Sequence, residues 1–109
     1  MYISIRRYKL NSQDAKTRGE LVRQINDIFL PQISKASGFV SYYAVDNGTG
    51  TLATVSVFES QAGVEESNRR AADFVKNSLP ILTLGPPEIT AGEVIASQGS
   101  RGDARRATT

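Results

Sequence analysis

The side chain with the clearest potential for chemistry is an amide in an apolar helical pattern. Asn68 shares one predicted helix face with Val64, Ala71 and Val75. A buried amide without partners costs on the order of 1–3 kcal/mol, so Asn68 must bond either to the protein or to a ligand. In the second case it could orient a substrate oxygen or stabilise an oxyanion, and it is our first candidate catalytic residue. The neighbouring Ser67 is a weaker candidate for substrate binding, because a helical hydroxyl often bonds its own backbone.

Two consecutive arginines form a second candidate group. Arg6 and Arg7 lie in a predicted strand, so their side chains point to opposite faces. Glu93, in the last predicted strand, is available for an ion pair with either of them, and such a pair can be nearly neutral for stability. Alternatively, one of the two arginines could recognise an anionic or enolate substrate. In that interpretation Arg6 is catalytic, and Arg7 and Glu93 contribute to substrate binding.

Two adjacent tyrosines are divided between faces in the same way. One of Tyr42 and Tyr43 is expected at a subunit interface and the other in a pocket; we take Tyr43 as a catalytic candidate and Tyr42 as a substrate-binding one. A phenol can donate a hydrogen bond to a substrate oxygen, but a pKa near 10 makes it a poor base at neutral pH. Gln32, on the inner face of the first predicted helix, is a further candidate for substrate binding.

The composition excludes several classes of chemistry. The 109 residues include no cysteine and no histidine, which removes thiol nucleophiles, disulfides and the commonest metal ligands and general base. We predict neither a metal site nor a cofactor. The net charge of +2 is carried by residues 97–109, which contain three arginines and one aspartate, so no basic face for nucleic acid is expected. No apolar run reaches the length of a membrane span and no signal-peptide pattern is present, so a cytoplasmic protein is expected.

The order of predicted elements begins with a strand, a helix and a second strand. Residues 2–10 are rich in β-branched and aromatic residues and predict a strand. Thr17 and Glu20 fit a capping box, which predicts that a helix begins there. Leu21, Ile25, Ile28 and Gln32 continue that helix at helical spacing; Pro31 predicts a kink or an early end, and Gly38 a stop. Residues 39–46 then predict the second strand.

The second half of the chain predicts a third strand, a second helix and a fourth strand. A glycine-containing turn at 47–50 joins residues 39–46 to a third strand at 51–59, which predicts a hairpin. Ser60 is a plausible N-cap for a second helix that ends near Leu79, before Pro80. Gly85, Pro86 and Pro87 predict a stiff turn, and residues 88–96 a fourth strand. The polar residues 97–109 are expected to be a disordered tail outside a single domain at 1–96.

The resulting β-α-β-β-α-β order predicts an α+β, ferredoxin-like fold with a four-stranded antiparallel sheet and both helices on one face. The other face would be open to water. Yet the strands carry apolar residues on both sides, as Val55 and Val57 oppose Leu52 and Phe58 in the third strand. An exposed apolar sheet marks an interface. We therefore predict a homodimer in which the same face of two copies pairs.

Several segments in this order resemble the antibiotic-biosynthesis monooxygenase-like family. They are Ile5-Arg6-Arg7-Tyr8, Gly38-Phe39-Val40-Ser41-Tyr42-Tyr43, Ser56-Val57-Phe58-Glu59, Glu66-Ser67-Asn68-Arg69-Arg70-Ala71-Ala72, Gly85-Pro86-Pro87 and Gly92-Glu93-Val94. The resemblance implies ferredoxin-like subunits that pair into a dimeric α/β barrel, with a pocket between each sheet and its own helices. It also implies relatives that include cofactor-free oxygenases of electron-rich phenols and haem-degrading enzymes. The latter use a histidine ligand and a tryptophan, and this chain has neither.

Three functions follow as hypotheses. The first is a cofactor-independent monooxygenase or related pocket enzyme acting on a small aromatic or quinol-like molecule, which would itself supply the electrons. The second is a non-catalytic dimer that binds a small molecule in the same pocket. The third is a structural homodimer whose polar residues only satisfy one another. The sequence leaves all three open, because a fold of this kind does not determine a function.

Overall fold

The structure is a computed structural model that describes residues 1–78 and 83–99. Its elements are β1 (Tyr2–Leu10), α1 (Ala15–Gln24), a π-helical turn (Ile25–Phe29), α2 (Leu30–Ile33), β2 (Phe39–Asp46), β3 (Thr51–Phe58), α3 (Gln61–Ser78) and β4 (Thr83–Glu93). The strands form one antiparallel sheet in the order β2-β3-β1-β4. The predicted ferredoxin-like order is thus confirmed, with α1, the π turn and α2 forming the first helical segment.

Alternation along the central strand β1 separates two different sheet faces. Ser4, Arg6 and Tyr8 are buried beneath the helices, whereas Ile3 and Ile5 on the other face are partly exposed. The register carries the same division into β3, where Ser4 lies opposite Ser56, Arg6 opposite Thr54 and Tyr8 opposite Leu52. The face beneath the helices therefore contains a polar row inside the core, and the open face is mainly apolar.

The first helix begins earlier than the capping-box pattern predicts. Its N-cap is Asp14, whose Oδ1 accepts a hydrogen bond from the Thr17 amide at 2.7 Å. A carboxylate at this position satisfies a free backbone donor and favours the positive end of the helix dipole. The prediction of Thr17 as the cap was wrong, because Asp14 offers the same bond one turn earlier.

Pro31 produces a π turn rather than an end to the helix. Proline has no amide hydrogen, and its ring conflicts with the carbonyl four residues earlier, so the wider turn at Ile25–Phe29 accommodates it. The widening also rotates the following residues. Phe29 and Ile33 become buried, whereas Ile28 and Gln32 are exposed, which corrects the predicted inner face.

The helix α3 corresponds to the second predicted helix. It is positioned by its N-cap and by a close approach to the sheet. The Ser60 hydroxyl accepts a hydrogen bond from the Gly63 amide at 3.2 Å, which confirms the predicted N-cap. A Cβ at Gly63 would lie 2.5 Å from the Ser37 carbonyl oxygen and 2.6 Å from the Phe58 ring. Glycine is needed there because the helix backbone touches a fully buried side chain. The predicted helix end at Leu79 and Pro80 lies outside the described residues.

The last strand includes the segment that was predicted to be a turn. β4 runs over Thr83–Glu93 and contains Gly85, Pro86 and Pro87. A register irregularity between Arg7 and Lys9 of β1 accommodates them, and an edge strand tolerates proline because one side forms no ladder bonds. Residues 94–96, predicted as strand, follow β4. Residues 97–99 are exposed without regular structure, and residues 100–109 lie outside the described part of the chain.

Candidate functional site

A small cavity lies between the sheet and the two helical segments. This is the position that the family resemblance implies for a ligand pocket. Its volume is about 20 Å³, enough for one water molecule. Its polar lining residues are Arg6, Tyr8, Tyr42, Thr54 and Ser56, and its apolar ones are Ile25, Phe29, Leu52, Ala71, Phe74 and Val75. The polar residues come from the sheet and the apolar residues mainly from the helices. A ring-sized ligand therefore requires apolar side chains to move.

The polar end of the cavity is a connected hydrogen-bond cluster. Arg6 Nε donates to Tyr8 Oη at 2.7 Å, and Arg6 Nη1 donates to Asn68 Oδ1 at 3.4 Å. The same Asn68 oxygen accepts from Ser4 Oγ at 2.6 Å. Two donors on one oxygen fix the amide orientation, so the Asn68 NH₂ group points away from Ser4 and Arg6. α3 and β1 thus hold the four side chains in one arrangement.

Tyr42 brings a second phenol to the cavity from β2. Burial raises the pKa of Tyr42 above its usual value near 10, with a further contribution from Tyr8, while a hydrogen bond with Thr54 and the charge of Arg6 act in the opposite direction. The net shift is upward, because desolvation disfavours a phenolate. Tyr42 therefore remains protonated at neutral pH and can serve only as a neutral donor or acceptor.

The apolar end of the cavity is formed by aromatic rings. Phe29, from the π turn, lies 5.0 Å from the Phe74 ring of α3 and 5.4 Å from the Tyr42 ring, between centroids. Pairs at these separations attract one another, and the same ring faces suit a flat aromatic ligand. The π turn thus places Phe29 directly against the site.

A separate surface groove approaches the cluster from the other side of Asn68. It is lined by Tyr2, Gln61, Val64, Glu65, Asn68, Ala91, Gly92 and Glu93. Asn68 therefore lines this groove and accepts a hydrogen bond from Arg6, which lines the cavity. Glu93 lies opposite Tyr2, whereas Arg6 lies opposite Ile89 and Arg7 opposite Glu88. The ion pair of Glu93 with Arg6 or Arg7 is absent from the described residues, because the β4 register sets them apart.

Of the predicted site residues, the structure brings together Arg6, Tyr42 and Asn68. Arg6 is 4% exposed and, like Tyr42, lines the cavity, and Asn68 bonds Arg6. Glu93 belongs to the neighbouring groove. These positions agree with the prediction of a pocket between the sheet and its own helices.

The other four predicted site residues lie elsewhere. Tyr43 and Arg7 are on the open sheet face, where Tyr43 is 56% exposed, because a β2 bulge after Phe39 and the alternation of β1 direct them away from the helices. Gln32 is exposed as a consequence of the π turn. Ser67 is buried, but its hydroxyl donates to the Val64 carbonyl at 2.8 Å. The described lining of the cavity thus includes none of Tyr43, Arg7, Gln32 and Ser67.

Sequence reasoning missed four polar residues of the site. Ser4 and Tyr8 flank Arg6 at two-residue spacing, and in β3 Ser56 lies opposite Ser4 and Thr54 opposite Arg6. The available signal was this polar alternation, Ser4-Arg6-Tyr8, on a strand that must be central in the predicted topology. Its significance depends on knowing which face the helices cover.

The cavity offers donors and a positive charge. Its lining contains no carboxylate, and the described residues contain no cluster of acidic side chains suited to a metal ion. No described helix is long and apolar enough to cross a membrane. The site can therefore bind and polarise an oxygen atom of a ligand, but its described lining has no general base that is active at neutral pH.

Comparison with known proteins supports this fold. No protein-family model and no curated protein matches the sequence. A protein of unknown function from Nitrosomonas europaea, NE2512, has a TM-score of 0.68 at 21% identity, over 93% of this chain and 95% of that one. The ActVA-Orf6 monooxygenase of Streptomyces coelicolor, solved with nanaomycin D, has a TM-score of 0.65 at 15% identity, over 88% and 92%. SnoaB of Streptomyces nogalater, a cofactor-independent oxygenase, has a TM-score of 0.62 at 10% identity, over 91% and 97%.

Structures described as antibiotic biosynthesis monooxygenases and as a dimeric ferredoxin-like protein are also among the similar folds. The resemblance drawn from the sequence is thus confirmed at the level of the fold. At these identities the likeness concerns architecture, and the chemistry has to be argued from the site.

Proposed function

We propose that the protein is a cofactor-independent monooxygenase acting on a small aromatic or quinol-like molecule. The observation that carries this proposal is that the aromatic cavity wall adjoins the hydrogen-bonded Arg6–Tyr8–Asn68 cluster, of which Arg6 and Tyr8 are buried and line the cavity. Phe29 and Phe74 would contact the ring, and the cluster would hold its oxygen. The monooxygenases among the similar folds support this assignment.

The electrons for such a reaction come from the substrate. A phenol with a free para carbon reacts with O₂ to give a quinone and water: one oxygen atom forms the new carbonyl and the other takes up the two hydrogens that are lost. The protein would contribute orientation, a water-poor cavity and stabilisation of negative charge on the substrate oxygen. Arg6 and the Tyr8 hydroxyl are placed for the last of these roles.

Oxygen uptake with 1-naphthol tests the proposal. We expect protein-dependent consumption of one O₂ per 1,4-naphthoquinone formed, and one labelled oxygen atom in the product when ¹⁸O₂ is supplied. Asn68→Ala should abolish turnover while circular dichroism and the melting temperature show a folded protein. Arg69→Ala, an exposed change beside it on α3, is the control and should retain full activity.

The alternative functions give different results in the same experiment. A binding protein would show saturable ligand binding, lost in Asn68→Ala, without oxygen uptake in the wild type. A structural protein would show neither, and the main effect of Asn68→Ala would be a lower melting temperature. Either result would contradict the oxygenase.

We further infer that the working unit is a homodimer formed through the open sheet face. Tyr43 and Val45 are more than half exposed there, next to the partly buried Val55. Native mass spectrometry should find two subunits, and Val45→Lys should yield monomers. Val22→Lys, at a similarly exposed position on α1, is the matched control and should leave the dimer intact. A wild-type monomer would refute this inference and leave the cavity argument unchanged.

A further inference from the structure

Tyr42 lines both the buried cavity and a groove on the surface. The groove has a volume of about 430 Å³ and is lined by residues of the π turn, α2 and β2, among them Leu30, Pro31 and Phe39. The cavity has a volume of about 20 Å³. One side chain therefore borders both a space that holds a single water molecule and an opening large enough for an aromatic ring.

The Tyr42 side chain has packed rings on the cavity side and open space on the groove side. Its ring lies 5.4 Å from that of Phe29, which in turn lies 5.0 Å from that of Phe74, between centroids. Phe29 and Phe74 are both buried in the core, whereas Tyr42 is partly exposed and comes from the edge strand β2. Rotation of the Tyr42 side chain into the groove would open the cavity without moving Phe29 or Phe74.

Tyr8 also lines the cavity and a second groove, but it is held more firmly. That groove lies between β1 and β4, beside Arg7 and Glu88. Tyr8 is buried on the central strand β1, and its hydroxyl accepts a hydrogen bond from Arg6 Nε at 2.7 Å. Rotation of Tyr8 would break this charged bond, which is roughly twice as strong as a neutral one. The bond that Tyr42 shares with Thr54 joins two neutral groups, so Tyr42 moves at a lower cost.

We propose that Tyr42 is the gate of the cavity, through which a ligand enters from the groove when the Tyr42 side chain swings away from Phe29. This deepens the proposed function, on which it rests for the presence of a ligand, because it names the residue that decides which molecules enter. Opening breaks the ring contact with Phe29 and the bond with Thr54, which corresponds to an open fraction on the order of 1–10%. Tyr42 is thus a specificity-determining residue that acts through access.

Thiol labelling tests the gate, because the chain contains no cysteine and a single one can be placed in the cavity wall. Ala71→Cys adds one sulfur atom to a buried residue of α3 that lines the cavity. With the gate present, an open fraction of about 1–10% limits the reaction of this thiol with methyl methanethiosulfonate. Adding Tyr42→Ala should therefore speed the labelling by about 10- to 100-fold, as followed over time by mass spectrometry.

Two controls separate a gate from a general loosening of the fold. Tyr43→Ala removes the same side chain from the next position, on the open sheet face, and should leave the labelling of Ala71→Cys unchanged. Ser67→Cys places a thiol one turn earlier on α3, at a buried residue outside the cavity lining. Its labelling reports local unfolding of the helix, so Tyr42→Ala should not change its rate.

The size of the labelling reagent measures selection by the gate. Benzyl methanethiosulfonate carries an aromatic ring and should label Ala71→Cys more slowly than the methyl reagent does while Tyr42 is present. Tyr42→Ala should reduce this difference, because the cavity and the groove then form one space. A difference that persists undiminished without Tyr42 would contradict its role in selection.

Equal labelling of Ala71→Cys with and without Tyr42 would overturn the proposal, as would an equal gain at Ser67→Cys or the same gain from Tyr43→Ala. If Tyr42→Ala does not fold, Tyr42→Phe decides in its place. It keeps the ring and removes the bond with Thr54, so labelling should rise about two- to tenfold, and an unchanged rate would refute the gate.

The outcome is separable from that of the oxygenase test, because labelling requires no turnover. A gated thiol without oxygen uptake from 1-naphthol would retain the gate and reject the monooxygenase. Oxygen uptake together with labelling that is insensitive to Tyr42 would reject the gate and retain the monooxygenase.

Discussion

Replacing Arg6 by methionine should make the ligand-free protein more stable while removing its function. Methionine fills a similar volume with an unbranched apolar chain, so the cavity wall remains packed. The change removes the desolvation cost of the guanidinium, which is several kcal/mol for a buried ion. Against this, it removes the charged hydrogen bond to Tyr8, worth about 1.5–3 kcal/mol, and the long bond to Asn68.

The difference of these terms favours the variant by about 1–3 kcal/mol, in the range found when buried ionic groups are replaced by apolar residues. For a domain of this size, each kcal/mol raises the melting temperature by about 4–8 °C. Asn68 retains its bond from Ser4 at 2.6 Å, so only Tyr8 loses its described partner. A gain of stability together with a loss of function is typical of a residue kept for its activity.

Urea unfolding at a fixed protein concentration measures the effect, because a dimer would make the stability depend on concentration. Arg69→Met is the matched control: it removes an exposed arginine from α3 and should change the free energy of unfolding by less than about 0.5 kcal/mol. A loss of 1 kcal/mol or more in Arg6→Met would refute the reasoning. It would show that the cluster serves the fold, as the structural hypothesis requires.

Three further predictions concern the scaffold. Gly63→Ala should destabilise the protein by about 1–3 kcal/mol, because its Cβ would meet the buried Phe58 ring at 2.6 Å. Gly19→Ala, with no atom within 4 Å of its Cβ, should stabilise α1 by about 0.5–1 kcal/mol. Thermal unfolding compares the two variants, and a change of melting temperature in the same direction for both would contradict this account of the packing. Asp14→Ala should cost about 1 kcal/mol through loss of the N-cap and Asp14→Asn much less, as measured by urea unfolding; equal losses would exclude the cap as the cause. Hydrogen bonds, chiefly from Arg23, lower the pKa of Glu20 from 4.5 to about 2. The contribution of Glu20 to stability is therefore present above pH 4.5 and is lost as the pH falls towards 2. Glu20→Gln should therefore lose less stability than the wild type over that interval, and parallel pH profiles would disprove this assignment.

Only part of the candidate site could be predicted from the sequence. The reason differs between the helix and the strands. The helical spacing around Asn68 correctly placed its amide on the inner face of α3, since a regular helix has a fixed period. On the strands, alternation divided Arg6 from Arg7 and Tyr42 from Tyr43 but could not say which of each pair faces the helices. The structure places Tyr43, our catalytic candidate, on the open face, because the face is set by packing and by the bulge that follows Phe39.

What the sequence determined by itself was the order of the elements, the α+β class and the absence of cysteine and histidine chemistry. These follow from periodicity, turn residues and composition, which are properties of short segments. Tertiary structure decided the rest. The π turn before Pro31 moved Gln32 outwards and Phe29 inwards, and the β4 register separated Glu93 from Arg6. It also placed Ser4, Tyr8 and Asn68 around one buried charge, because contacts between residues more than 60 positions apart depend on how strands and helices pack rather than on any local pattern.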